Sequence, residues 1–181
     1  MNLDSNKITE EIKHDWSKSH NGVMLCTIKD TMKFMPETVP MLKSLVPFLE
    51  HDLDSYLVDV KVHMLMPDQY PCIPNWHRDF VPRGYDLKQD TSAITGDLMY
   101  IWISGAPFTE YKTTQGKVGN EHKWTVINQN DFHRGVKSEI HTWRCFIRVI
   151  PKWFVHLTTI NIGTLRRHSQ IYIDKPEKFR W

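Results

Sequence analysis

The chain has 181 residues, 40% of them hydrophobic, 12% aromatic and 24% charged, with a formal net charge of +2. That length suits one ordinary globular domain with a real core and is short for two, and seven Trp and eight Phe argue against disorder. So small a net charge does not make a nucleic-acid binder on composition, and no apolar run nears the ~20 residues that span a bilayer. The polar opening stretch reads as neither a secretory signal nor a transit peptide. Cys26, Cys72 and Cys145 are widely spaced and odd in number, so a reducing, cytoplasmic setting is expected rather than a disulfide framework. Ten His is the unusual figure, and it raises the question of a metal.

The first fifty residues read as helical. Asp4 or Ser5 can cap a helix carrying Ile8, Ile12 and Trp16 at helical spacing, with Glu10 and Glu11 near its positive end. A second helix is expected after Pro40, where Leu42, Leu45, Leu49 and Leu53 form one apolar stripe and Pro47 marks a kink or a late start. From Tyr56 the period changes to two. Val58, Val60, Val62, Met64 and Met66 alternate with Asp59, Lys61 and His63, which is the pattern of a half-buried strand. Further strands are expected over residues 97–104, 122–128 and 141–150, and a last pair over 157–162 and 170–173 flanks Arg166, Arg167 and His168. Helices first, then short strands between turns, predict one α+β domain over residues 1–181, mainly β, on an antiparallel barrel or sandwich. Its parts are helical support over 1–54, a β core over 55–151, and C-terminal strands with a basic tail over 152–181.

Residues 70–83 carry the most chemistry. His77 and Asp79 sit two apart, so in extended backbone both side chains project to one face. One imidazole beside one carboxylate suits Fe(II) or Mn(II), whose mixed N/O ligation leaves positions open for substrate. Pro71, Pro74 and Pro82 stiffen the approach. A kinase reading of His77-Arg78-Asp79 fails, because the chain has no glycine-rich phosphate loop. A facial triad needs a second His, and His133 is the best placed: it ends a β-like stretch and precedes Gly135. His63, His122 and His141 lie on or beside strands and His14, His20 and His51 in helical or polar surroundings, all better read as solvated or hydrogen-bonded. Beyond His133, Arg144 and Arg148 share one face of a strand with Thr142 and Phe146, while Trp143, Cys145, Ile147 and Val149 take the other. Buried Arg is rare unless paired, and its planar fork fits a carboxylate. An anion inside a barrel would satisfy such a face; an exposed face with solvated Arg is the plain alternative.

His77-x-Asp79, then His133, then an Arg eleven positions later resembles the Fe(II)/2-oxoglutarate-dependent dioxygenases, over roughly residues 56–151. Small phage and bacterial members look similar around Trp76 to Phe80 and His133 to Gly135. The resemblance implies a double-stranded β-helix (a jelly-roll, cupin-like core) with the N-terminal helices packed outside. It implies that His77, Asp79 and His133 ligate Fe(II), and that 2-oxoglutarate chelates the metal with its far carboxylate on Arg144 or Arg148. Arg144 matches the usual position best, and Arg148, on the same face, could take that role or hold an anionic part of the substrate. O2 completes the reaction, which gives succinate and, usually, a hydroxylated substrate.

Tyr100, Trp102 and Ser104 share one strand face, so a Tyr100 or Ser104 hydroxyl could assist the carboxylate-binding Arg, although ordinary barrel filling is the favoured reading of these three. Arg83 and the polar residues 108–121 are candidates for a substrate mouth with a mobile loop. Two other functions compete. One is a cupin-like metal protein with other chemistry, which needs no dicarboxylate on Arg144. The other is a non-catalytic module binding nucleic acid through Arg166, Arg167, Lys175, Lys178 and Arg180, with Tyr172, Phe179 and Trp181 stacking on bases. The prime substrate is not readable, and the basic C-terminus tilts only toward an anionic one.

Overall fold

The computed structural model describes residues 14–19, 22–82, 88–112 and 123–155, and the backbone alone at 156–157, 164–166 and 172–173. In chain order its elements are β1 (Gly22–Thr27), α1 (Ile28–Phe34), α2 (Val39–Leu45), β2 (Tyr56–Leu65), β3 (Gln69–Tyr70), β4 (Leu98–Ser104), β5 (Glu110–Lys112), β6 (Trp124–Asn128), β7 (Phe132–Arg134), β8 (Thr142–Pro151), β9 (Thr164–Arg166) and β10 (Tyr172–Ile173), joined in places by 3-10 turns. Six strands form one antiparallel sheet in the order β6-β4-β8-β2-β1-β9, and the pairs β10-β3 and β5-β7 form two small sheets. The protein is therefore mainly β, with two short α-helices among the described residues. No helix among those residues is long and apolar enough to cross a membrane.

The large sheet divides two interiors. On one face Val58, Val60, Cys145, Ile147 and Val149 pack against Met41, Leu42 and Leu45 of α2. Each such fully buried aliphatic side chain stabilises the fold by about 1.5–3 kcal/mol. On the other face Leu57, Ile101, Ile103 and Ile150 pack with Tyr111 of β5, which brings the small β5-β7 sheet over the large one. The spine is the β2–β8 pair, in register from Tyr56 opposite Pro151 to Leu65 opposite Thr142.

The structure corrects several expectations, each for a local reason. The first fifty residues are not all helical, because Gly22–Thr27 is a strand. It hides its period: Leu25 is left-handed at φ 54°, and the register with β2 slips between Val23 and Cys26. That bulge turns Val23 and Cys26 to the helix side and Leu25 to the other, so no alternation survives. The helix begins only at Ile28, where Thr27 Oγ1 accepts from the Asp30 N–H at 3.0 Å. The second helix stops at Leu45, before Pro47, which falls in the 3-10 turn Val46–Phe48; Leu53 lies in another such turn and is 43% exposed.

β2 is not half-buried against solvent. Asp59 and His63 are each 2% exposed, whereas Met64 on the apolar face is 41% exposed. Its alternation separates an apolar interior from a polar one. Residues 108–121 contain β5, with residues 113–122 outside those described. His133 does not end the strand that starts near residue 122; a turn after Asn128 separates β6 from β7 and passes the chain to the small sheet. The expected helix through Ile8 and Ile12 lies outside the described residues, as do Arg83, Arg167, Lys175, Lys178 and Arg180; of the strand expected over 157–162, Leu157 ends a 3-10 turn and the rest is likewise outside. Trp16 is buried in a 3-10 turn with its ring 6.1 Å from that of Trp102.

Candidate metal centre

After β3 the proline-stiffened residues 71–76 bring the chain back against β7. There His77 and His133 form a single antiparallel bridge, with the His77 N–H donating to the His133 carbonyl at 3.0 Å and the reverse bond at 2.9 Å. Paired residues across a bridge share a face, so both imidazoles enter the same cavity, with ring centres 4.3 Å apart. Asp79, two residues on, joins them: Oδ1 lies 3.9 Å from His77 Nε2 and Oδ2 lies 3.6 Å from His133 Nε2. The three donors fall within 4.8 Å of one another, a spacing that one ion can span.

The chain turns sharply after Asp79. Phe80 is left-handed at φ 56°, an unfavourable conformation for a bulky residue that needs outside support. Gln129, fully buried, supplies it: Nε2 donates to the Phe80 carbonyl at 3.0 Å and Oε1 accepts from the Thr95 N–H at 2.9 Å. The turn lays the Phe80 ring 4.6 Å from the Arg148 guanidinium.

The donor set fits a metal. His77 Nδ1 lies 2.8 Å from the Asn75 carbonyl, which can only accept, so the proton sits on Nδ1 and Nε2 offers its lone pair to the cavity. Burial alone would raise the Asp79 pKa, but the Arg148 guanidinium, His133 and His77 outweigh it and hold the carboxyl well below its usual range. Asp79 is thus an anion at neutral pH. His133 Nδ1 is buried without a partner among the described residues.

The two Arg occupy different roles. Arg148 stands between two carboxylates, donating from Nη1 to Asp79 and from Nη2 to Asp59 at 2.8 Å. Burial would lower its pKa, but Asp79 and Asp59 raise it further. Arg144, 1% exposed, has only neutral acceptors: Nε donates to the Pro107 carbonyl at 2.9 Å and Nη2 to Thr109 Oγ1 at 3.2 Å. No carboxylate pairs with it among the described residues, and burial pulls its pKa down.

A cavity of about 110 Å³ lies over this centre, walled by His77, Asp79, His133, Lys61, Tyr111 and Arg148. Thr109 and Phe146, both beside Arg144, also border it. Tyr100 does not reach the site. It points into the helix-covered interior, where its hydroxyl donates to the Phe48 carbonyl at 3.4 Å. Tyr111 stands at the cavity instead, its hydroxyl buried without a well-formed hydrogen bond among the described residues. The alternation Thr109, Tyr111 within a β-favouring run was the available signal for it. Lys61 on the cavity wall and Asp59, paired with Arg148, are site residues that alternation does not reveal, since it cannot tell a polar interior from solvent. The other described His that competed for the site stay outside the cluster: His63 is buried on β2, His141 is exposed just before β8, His14 contacts Ser19 Oγ at 3.1 Å, and His51 packs edge-on against Trp153. Comparison with family models, with curated proteins and with solved structures returns no match to this chain.

Proposed function

We propose that the chain is a non-haem Fe(II)- and 2-oxoglutarate-dependent oxygenase on a double-stranded β-helix. One observation carries this reading: an inward His–Asp–His cluster opens on a cavity bordered by Thr109 and Phe146, the side chains that contact the buried Arg144 guanidinium, which no carboxylate pairs among the described residues. The facing of a large antiparallel sheet by a smaller one around that cavity supports the fold. Three free cysteines agree with a reducing compartment such as the cytoplasm.

His77 Nε2, Asp79 and His133 Nε2 would hold Fe(II), a mixed N/O set that suits this ion. The bound iron supplies activation of O2, coupling loss of CO2 from 2-oxoglutarate to oxidation of a second substrate. The chain's residues bind and orient. Arg144 is the better partner for the far carboxylate of 2-oxoglutarate, since Arg148 is already neutralised by Asp59 and Asp79. Tyr111 has a hydroxyl at hand to donate to the same carboxylate. Ile73, Ile101 and Phe146 exclude water from the walls, which strengthens each charge interaction inside.

The test is anaerobic addition of Fe(II) and then 2-oxoglutarate, watching for the visible charge-transfer band of the chelate. Succinate formation under air follows. Wild type is expected to give both, and His77→Ala neither. Metal binding with no band and no succinate would replace this reading by a cupin-like metal protein with other chemistry.

A further inference from the structure

We infer that Trp76, Arg78, Phe132 and Arg134 are positioning residues for the metal centre, two crossed ring–guanidinium pairs that hold His77 and His133 in register from the outside. The inference rests on the metal reading above and extends it to side chains that line no part of the cavity. The two histidine-bearing segments meet at one bridge, and the next backbone tie is the Gly135 N–H to the Ile73 carbonyl at 2.8 Å. The seam is only these few backbone bonds long, so side chains that meet across it add to its resistance to twisting.

Because side chains alternate along extended backbone, a bridge that turns both imidazoles inward turns their neighbours outward. Those neighbours meet across the seam on both sides. Arg134 Cζ lies 4.7 Å from the centre of the Trp76 ring, and Arg78 Cζ lies 3.8 Å from that of Phe132. Each guanidinium is fixed a second time. Arg134 Nε donates to Glu110 Oε2 at 2.6 Å, and Arg78 Nε donates to the Asn130 carbonyl at 3.3 Å.

The β5–β7 register carries the pattern one strand further, with Glu110 opposite Arg134, Tyr111 opposite His133 and Lys112 opposite Phe132. Three rows result. The middle row, His77–His133–Tyr111, faces the cavity, while Trp76–Arg134–Glu110 and Arg78–Phe132–Lys112 flank it outside. Twisting the seam would shear both outer rows and swing the middle one, where ligand atoms need placement to within about 0.5 Å. With a ring–guanidinium contact on each side, the seam is held at both edges.

The experiment titrates Co(II) into the metal-free full chain and follows its visible ligand-field bands, beside thermal unfolding without metal. Trp76→Leu and Phe132→Leu remove a ring without changing net charge; Trp76→Phe and Phe132→Tyr keep one. Each Leu variant is expected to bind Co(II) about three- to tenfold more weakly with altered band intensity, and each aromatic variant to recover. Trp76 is 40% exposed, so its replacement should leave unfolding without metal unchanged. Should Phe132→Leu not fold, the Trp76 pair decides alone. Wild-type affinity and bands in the Leu variants, or no recovery with a ring restored, overturn the inference. Failure of the wild type itself to bind Co(II) overturns the metal reading beneath it.

Discussion

Replacing Arg144 by Met separates a binding residue from a structural one by the sign of two effects. In the metal-free protein the substitution strips the Pro107 carbonyl and Thr109 Oγ1 of their donors. Each buried acceptor left unsatisfied costs about 1–3 kcal/mol. Against that, Arg144 is 1% exposed and faces no acid among the described residues, so its removal relieves a desolvation penalty of roughly several kcal/mol. The two nearly cancel, and Arg144→Met should unfold in urea within about 2 kcal/mol of wild type, unlike an ordinary large-to-small core change at about 2–5 kcal/mol. On the oxygenase reading, binding of 2-oxoglutarate should have no such compensation. Stranding a buried carboxylate costs about 3–5 kcal/mol, which is roughly a hundred- to a few-thousandfold in affinity. Calorimetric titration of 2-oxoglutarate into Mn(II)-loaded protein, where no turnover occurs, reads that loss. Affinity within about threefold of wild type would remove Arg144 from the carboxylate site, and the same loss in Arg148→Met alone would give the role to Arg148.

The remaining predictions concern charge and pH. Asp79→Ala takes one of two carboxylates from Arg148 while Asp59 keeps its bond at 2.8 Å. The metal-free variant should therefore lose about 2–3 kcal/mol, less than the ~3–5 kcal/mol of a fully stranded buried charge; a gain in stability would refute the pairing. Since the Asp79 pKa is depressed from 3.8, its stabilising contribution is complete above that pH and is lost as pH falls through the lower folded value. Acid unfolding of Asp79→Asn should accordingly be shallower than that of wild type. Burial raises the Cys145 thiol well above its ordinary 9.0, so the unfolded chain loses this proton first and stability falls as pH rises beyond 9.0. Urea unfolding at increasing pH should show Cys145→Ala with a slope smaller by up to about 1.4 kcal/mol per pH unit, and an equal slope would refute it.

How much of this was legible in the sequence follows from the range of each interaction. His77-x-Asp79 could be read because a two-residue spacing fixes relative direction in extended chain, and the shared face of Arg144 and Arg148 followed from the same period. His133 was found by residue type and position, and the structure brings it to the other two. The spacing from His133 favours Arg144, but the pairing that already occupies Arg148 could not be read. It depends on Asp59 lying opposite Arg148 across β2 and β8, a register that no local pattern encodes. For the same reason the polar face of β2 looked like a solvent face: alternation tells two sides apart but not what covers each. Tyr100 and Tyr111 show the converse: the strand of Tyr100 is legible and that of Tyr111 falls in a stretch that reads as a loop, and the interior each one faces is set by the sheet that packs above it.

The position of Arg148 has a consequence for how the protein matures. Sandwiched between Asp59 and Asp79, it is a built-in counter-ion, so the buried acids are not left facing each other when no metal is present. Small zinc domains, by contrast, stay unfolded until the ion arrives. This chain carries the means to finish folding first, and on the reading proposed above its iron is a late arrival that takes Asp79 over from a guanidinium already in place.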